Sequence, residues 1–401
     1  MSPHAVPQHV AILGGGPIGL DAALAAADRG WPFTVYEAAP TVGWAVREWG
    51  HVRMFTPWDM NVSPRMRAHL EAAGGAVPSG SAYPTGAQFA DVLLDQVAAL
   101  PALAGRIELG TRVEGIGREG LLKHEEIATD LRGQTPFRLL LSQADGTERI
   151  AHADLVLDCT GSYGTPNVLG DGGIPAIGER AVADRITRKL PDLERERDDW
   201  AGRTILLVGA GKSAQTAGRD LASLIQAVPS TRVIWAVRSP EPDWGVVVDD
   251  PLPQRQELVD VAERLAAGEV PGLEVRAGVA VEALAARGGG VAVTLRDASG
   301  AEEIVVDRVL ALTGYVGDAS LYRQLQVHEC YATGAPMQLS AALLGSAAGD
   351  CLQQTSHGVD VLRSPEPNFF ILGMKSYGRN SQFLLRIGYD QINEVVNAYA
   401  A

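Results

Sequence analysis

A short, wholly apolar run at Val10–Leu13 and a second at Phe33–Tyr36, apolar but for Thr34, flank an alanine-rich stretch with helical spacing. Strands of four residues without polar alternation are buried on both faces, so the pattern predicts a β-α-β unit with two parallel strands. The same order returns in TILLVGAGKSAQTAGRDLASLIQ followed by RVIWAVRSPEP. Behind each unit the pattern changes to alternation. RIELGTRVEGI, FRLLLSQADGTERI and ADLVLDCTG follow the first, and GLEVRAGVAVEAL, VAVTLRDASGAEEI and VDRVLALTG follow the second. Gly146 and Gly300, Asp154 and Asp307, and Gly161 and Gly314 keep an offset of roughly 153 residues, which marks an internal duplication. Each half is therefore a βαβ core with a strand, a hairpin and a returning strand. The hairpins turn at Asp145-Gly146 and Ser299-Gly300, where glycine tolerates positive φ.

The boundary between the halves is predicted in the glycine- and proline-rich stretch 161–178. After Gly314 there is no further nucleotide unit, so the remaining chain must return to one of the halves. Its end, NFFILGMKSYGRNSQFLLRIGYDQINEVV, predicts a strand over Asn368 to Gly373, a polar loop, and an amphipathic helix starting near Ser381 with Asn380 or Ser381 as its cap.

The turns inside the two units carry the chemistry. GGGPIG spans Gly14 to Gly19, and GAGKSA spans Gly209 to Ala214. In such a unit the first glycine makes the tight turn, the second lets backbone approach a pyrophosphate, and the third lets helix and strand pack closely. The helix N-terminus then presents free N–H groups to phosphate. The second strand of the first unit ends at Glu37, where an acidic side chain can accept from ribose hydroxyls; Arg238 holds that place in the second unit. A carboxylate would repel the 2′-phosphate of NADP, whereas a guanidinium can pair with it, so Arg238 points to NADPH over NADH.

Composition narrows the partners. The 401 residues are 46% hydrophobic and 20% charged, enough for two or three packed domains. A formal charge of −14, from 34 basic against 48 acidic residues, with no basic cluster, argues against nucleic acid and anionic membrane surfaces. The short apolar runs, such as Ala22 to Ala27, read as amphipathic in context. No signal peptide or membrane span is visible, which predicts a cytoplasmic protein. Cys159, Cys330 and Cys351 are isolated, without the CxxC pair of a dithiol reductase, and Cys159 reads as a buried structural thiol. The eight histidines show no metal-ligand spacing, so no metal is expected. His51 and His357 are titratable near neutrality but have no motif to distinguish them.

GGGPIG with Glu37, VGW at Val42 to Trp44, YPTGAQFADVL at Tyr83 to Leu93, the CTG and LTG strand ends, and GAGKSA with Arg238 together carry a resemblance. The chain resembles, over nearly its whole length, the flavin-containing monooxygenase-like branch of the two-dinucleotide-binding-domain flavoproteins. These have the pyridine nucleotide-disulfide oxidoreductase fold, here without a redox disulfide. The resemblance implies an α/β fold of two Rossmann-type, three-layer ββα dinucleotide-binding domains, the NADPH domain inserted in a split FAD domain. The FAD domain would take 1–165 and 315–401, and the NAD(P)H domain 166–314.

By the same resemblance, Gly14, Gly16, Pro17, Ile18, Gly19 and Glu37 hold the ADP half of FAD. Trp44 and the Met54 to Asn61 stretch, with Thr56, lie near the ribityl chain and ring. Val113 meets the adenine, Thr160 and Gly161 close the strand end, and Gly373 lies by the polyol chain. The helix after Ser381, with Gln382, faces the flavin pyrimidine, where a helix N-terminus would stabilise the charge of reduced flavin. Gly209, Gly211, Lys212, Ser213, Ala214 and Arg238 bind NADPH. Trp58 and Asp59, and the polar loop carrying Lys375, Tyr377, Arg379 and Asn380, are candidates for the reaction cleft.

The implied activity is an FAD-dependent, NADPH-consuming oxidoreductase, a monooxygenase acting through a C4a-peroxyflavin on a nitrogen, sulfur or carbonyl centre of a small molecule. O2 would be its second substrate, and a homodimer is an open expectation. Two departures keep alternatives open: the linker lacks the family's FxGxxxH signature, and Trp44 replaces the second glycine of GGxW. One alternative is an NAD(P)H-dependent flavin reductase or dehydrogenase that inserts no oxygen. The other is a non-catalytic redox-sensing flavoprotein.

Overall fold

A computed structural model describes residues 6–247, 250, 252–345 and 356–399. Two compact units emerge, Met1–Thr165 with Val316–Ala401, and Pro166–Tyr315. The second crossing falls after Tyr315, one residue beyond the boundary expected at 314.

In chain order the first unit contributes β1 (Val10–Leu13), β2 (Phe33–Tyr36), β3 (Ile107–Glu108), β4 (Thr111–Arg118), β5 (Phe137–Gln143), β6 (Glu148–Ala153) and β7 (Leu155–Asp158). The second contributes β8 (Ile186–Thr187), β9 (Thr204–Val208), β10 (Arg232–Val237), β11 (Leu273–Ala277), β12 (Ala280–Arg287), β13 (Gly290–Asp297), β14 (Gly300–Val306) and β15 (Arg308–Ala311). The chain then returns to the first unit with β16 (Phe369–Ile371). Each unit holds a five-stranded parallel sheet, ordered β16-β7-β1-β2-β3 in one and β11-β10-β9-β15-β8 in the other. Each also holds a three-stranded antiparallel meander, β4-β5-β6 or β12-β13-β14. The duplication extends to irregularities: the first meander strand shifts register between Val113 and Gly115 in one unit, and between Val281 and Ala283 in the other.

Strand β1 shows why its sequence lacks polar alternation. Val10 and Ile12 join the core shared with the helices, while Ala11 and Leu13 pack toward Ile116, Phe137, Leu139 and Leu141 of the meander. Both faces are covered, which gives three layers: helices, parallel sheet, meander. The helix Pro17–Asp28 is buried from Ile18 to Ala26 because it packs against the sheet and also against the helix Leu385–Asn397. It is thus apolar nearly all round rather than amphipathic. Its buried exception, Asp21, is bonded by Ser63 Oγ at 2.5 Å and by Arg65 at 2.7 Å.

Three expectations are corrected. The last strand covers Phe369–Ile371, because Asn368 adopts positive φ and Gly373 begins a 3₁₀ turn. The C-terminal helix starts at Leu385 rather than near Ser381: Asn380 Oδ1 accepts the Gln382 N–H at 2.9 Å and spends its capping capacity on a local turn, so Leu384 stands at the N-cap without a side-chain cap. In the second hairpin Gly300 pairs with Asp297 as the first residue of β14, so the turn lies at Ala298 and Ser299. Among the described residues no helix is long and apolar enough to cross a membrane.

Candidate functional site

In the first unit the turn after β1 is locked by contacts that leave no room for side chains, except at one position. Gly14 has φ +96°, and a Cβ there would lie 2.8 Å from the Cys159 carbonyl oxygen. One on Gly19 would lie 1.9 Å from the Gly14 oxygen. At Gly16 a Cβ would meet nothing within 4 Å. Gly16 is also the N-cap of the helix Pro17–Asp28, without a side-chain cap, and Pro17 at the first position sets φ without wasting a donor. An open backbone face at a helix N-terminus fits a dinucleotide pyrophosphate.

Glu37 reaches this turn from the end of β2. Its carboxylate accepts the Gly15 N–H at 2.6 Å and the Ala39 N–H at 2.8 Å. It therefore shapes the glycine turn first, and its remaining lone pairs are left for ribose hydroxyls. Ile18 is a packing residue: Gly373 and Gly388 are placed so that a Cβ would lie 3.1 Å and 2.4 Å from it. Gly373, at φ +71°, donates its N–H to Gln391 Oε1 at 2.8 Å, which ties its turn to the C-terminal helix.

The other sites expected in this unit divide into exposed and enclosed groups. Trp44 is exposed and sets its ring edge-on to Tyr163, with centroids 6.2 Å apart. Thr160, Arg379, Ser381 and Gln382 are exposed, and Val113 and Gly161 are half-buried. Thr56 is buried and donates to Asn61 Oδ1 at 2.7 Å, so its hydroxyl proton is committed within the protein. Trp58 packs against Phe89, and Asp59, which is exposed, accepts the Gly80 N–H at 2.7 Å.

The polar loop is mostly not a solvated surface. Lys375 is buried and donates to Asp158 Oδ2 at 2.6 Å and to Thr160 Oγ1 at 3.1 Å. Tyr377 is buried edge-on to Phe383, and burial pushes its phenol up to about 12. Asn380 is half-buried and closes the local turn described above. Arg379 alone of these four is exposed; its N–H donates to the Thr333 carbonyl at 2.8 Å.

The second unit repeats the arrangement with different side chains. Gly209 has φ +131°, and a Cβ would collide with the Leu312 oxygen at 2.2 Å, whereas Gly211, the N-cap of the helix Lys212–Ala227, again faces open space. Ala214 is fully buried beside Gly209, and Ser213 is exposed. Lys212 bonds the Trp244 carbonyl at 3.1 Å and Gln215 Oε1 at 3.2 Å, so it pins the chain after Pro240 as well as standing at the helix start. Burial, with Arg255 nearby, lowers its pKa. Arg232 caps carbonyls at the start of β10. Arg238 is exposed at the end of β10, with no hydrogen bond or ion pair among the described residues.

Cys159 is buried beneath the first glycine turn, and burial pushes its thiol far above the usual range, ahead of the repulsion from Asp158. A thiol held protonated is a poor nucleophile. Cys330 is also buried and free, and Cys351 lies outside the described residues. His51 and His357 are both exposed. Sequence reasoning missed Asp158 and Gln391. Asp158 was detectable as a charged residue closing an otherwise apolar strand, while Gln391 had no local signal.

No protein-family model and no curated protein sequence matches the chain. Solved structures do. Bacillithiol disulfide reductase from Bacillus cereus is similar at 19% identity and TM-score 0.70, covering 97% of this chain and 98% of that one. Ornithine N-hydroxylase from Kutzneria sp. 744, in a complex with reduced FAD, NADP+ and L-ornithine, has 16% identity and TM-score 0.61, covering 98% and 99%. Thioredoxin reductase from T. acidophilum has 16% identity and TM-score 0.55, covering 98% and 95%. The shared feature of these structures is the paired Rossmann-type architecture, and this chain has the fold of the two-dinucleotide-binding-domain flavoproteins.

Proposed function

We propose that the chain is an FAD-dependent, NADPH-consuming oxidoreductase, with FAD in the first unit and NADPH in the second. One observation carries the reading: the same glycine turn is built twice, open at Gly16 and at Gly211, but β2 ends in the anchored carboxylate of Glu37 and β10 in the guanidinium of Arg238, exposed and without a partner among the described residues. The first arrangement suits a nucleotide whose ribose hydroxyls are free, and the second suits one whose 2′-oxygen carries phosphate. A pair of sites that discriminate between two dinucleotides is what hydride transfer between them requires.

FAD, when bound, supplies hydride acceptance from NADPH and, in a monooxygenase, the activation of oxygen. The chain's own residues supply position. The Gly14–Gly19 turn and the helix N-terminus hold phosphate, Glu37 fixes that turn and accepts ribose, and the Gly373 turn, braced by Gln391 and Ile18, holds the facing wall. Oxygenation of a small-molecule nitrogen, sulfur or carbonyl centre, with O2 as co-substrate, is the finer reading. The buried, protonated Cys159 supports it over a thiol-based reduction next to the glycine turn. A reductase without oxygen insertion is the second reading, favoured by the likeness to a bacillithiol disulfide reductase at TM-score 0.70.

The test is anaerobic reduction of the purified protein by NADPH and by NADH, followed by 18O2 and a panel of amines, sulfides and ketones. Preferred reduction by NADPH with 18O in a product supports the monooxygenase. NADPH consumption without label in any product supports the reductase, and absence of any flavin reduction removes both readings.

A further inference from the structure

At the carboxyl end of the first parallel sheet, an exposed threonine stands on a fully buried ion pair. The sheet order reverses between β7 and β1, and ligands of such sheets bind beyond the carboxyl ends of the strands at that point. Thr160 lies there: a Cβ on Gly14 would be 3.1 Å from its Cα. Asp158 and Lys375 are 0% and 3% exposed, and the Lys375 ammonium lies 2.6 Å from Asp158 Oδ2.

The hydrogen bonds of Thr160 leave it one role. Its hydroxyl proton goes to Asp158 Oδ1 at 2.6 Å, and its backbone N–H goes to the same oxygen at 3.2 Å. Lys375 Nζ donates into one hydroxyl lone pair at 3.1 Å. One lone pair remains, so this side chain can accept a hydrogen bond but cannot give one. A phosphate oxygen needs a donor and gains nothing here, whereas a polyol hydroxyl has a proton to offer.

The duplication supplies an internal control. At the offset of 153 residues, Asp158 corresponds to Ala311, Thr160 to Thr313 and Gly161 to Gly314. The second unit closes the same turn without charge: Thr313 donates to the Asn167 carbonyl at 2.8 Å, and Ala311 is buried. The fold therefore does not need the ion pair. Burying two charges carries a desolvation penalty that their attraction offsets only with excellent geometry, which makes stability a weak reason for keeping them. The first unit has adapted around the lysine all the same. Gly317 is bare where a Cβ would lie 2.4 Å from Lys375 Cγ, and the Tyr322 ring faces the ammonium at 5.0 Å.

We infer that Asp158 and Lys375 are positioning residues that fix the Thr160 hydroxyl as an acceptor for a polyol hydroxyl of bound FAD. This rests on the flavoprotein reading above and deepens it.

The test titrates FAD into deflavinated full-length protein and records thermal unfolding of each apoprotein. Thr160→Val should raise the FAD dissociation constant about tenfold, the worth of one hydrogen bond, while Thr160→Ser stays near the native value. The double variant Asp158→Ala/Lys375→Met, which copies the uncharged second unit, should lose a similar factor, and adding Thr160→Val to it should cost little more. Thr160→Val binding FAD like the native protein overturns the inference, as does an equal loss from Thr160→Val in both backgrounds. Should the double variant fail to fold, the Thr160→Val and Thr160→Ser pair still decides. Native protein that takes up no FAD refutes the flavoprotein reading itself, a separate outcome.

Discussion

Glu37 Oε2 accepts the backbone N–H of Gly15 at 2.6 Å, so the end of the second strand holds the glycine turn that follows the first. The second unit achieves the same closure by another route: Trp235 Nε1 donates to the Gly209 carbonyl at 2.7 Å. Freed from that duty, the end of β10 leaves Arg238 exposed. One architecture thus takes opposite charges at equivalent places because its turns are braced differently.

The glycines of the first turn separate binding from folding. Gly16→Val points into open space, so the protein should fold with a near-native unfolding temperature and purify without flavin absorbance. Gly19→Val would drive into the Gly14 carbonyl and should fail to fold or melt markedly earlier. Flavin absorbance and thermal melts of both variants check this; a Gly16→Val protein with full FAD content would show that the turn is not the phosphate site.

Arg238→Ala should weaken NADPH by about 1.5–3 kcal/mol, the range of a charge-assisted hydrogen bond, and leave NADH nearly unchanged. Because Arg238 has no partner among the described residues, the change should not alter stability. Kinetics of flavin reduction at varied NADPH and NADH concentrations give the two affinities, and equal weakening of both would remove the 2′-phosphate assignment.

A buried charge cluster joins the first meander to the returning chain. Glu366 accepts Arg118 Nε at 2.7 Å, Arg132 Nη2 at 2.7 Å and the Gln326 N–H at 2.7 Å, with all three charged side chains essentially unexposed. Glu366→Gln leaves two guanidinium groups without a counter-charge in the interior and should cost about 3–5 kcal/mol. Urea unfolding measures it, and a loss below 1 kcal/mol would mean that water reaches the cluster.

His9, where the chain enters β1, has its pKa lowered by burial, with Asp154 opposing the shift. The folded state then holds fewer protons than the unfolded state just below the ordinary value of 6.5. Stability from this group is complete above 6.5 and falls as pH drops through that value toward the lower folded pKa. Thermal unfolding followed down through this window should lose stability in the native protein and less in His9→Gln; parallel curves would assign the loss to other groups.

The sequence by itself determined the repeated core. Val10–Leu13 and Phe33–Tyr36 are strands at the bounds their runs set, because strands covered on both faces carry little polar alternation, here Thr34 apart, to blur the signal. The duplication, both glycine turns and the opposed Glu37 and Arg238 were legible for the same reason: each is a local pattern with a local cause. Tertiary structure decided how the polar residues are used. Lys375 and Tyr377 read as loop chemistry but are buried, since their turn is held between β7 and the C-terminal helix by Asp158 and Gln391, 217 residues before Lys375 and 18 residues after Gly373. Asn380 and Ser381 read as caps, yet the helix waits until Leu385 because a neighbouring N–H satisfies Asn380 first. A side chain's spacing says which element it rides on. Its hydrogen-bond partner is settled only when the chain folds back, because a buried polar atom takes whichever donor or acceptor that packing brings within reach.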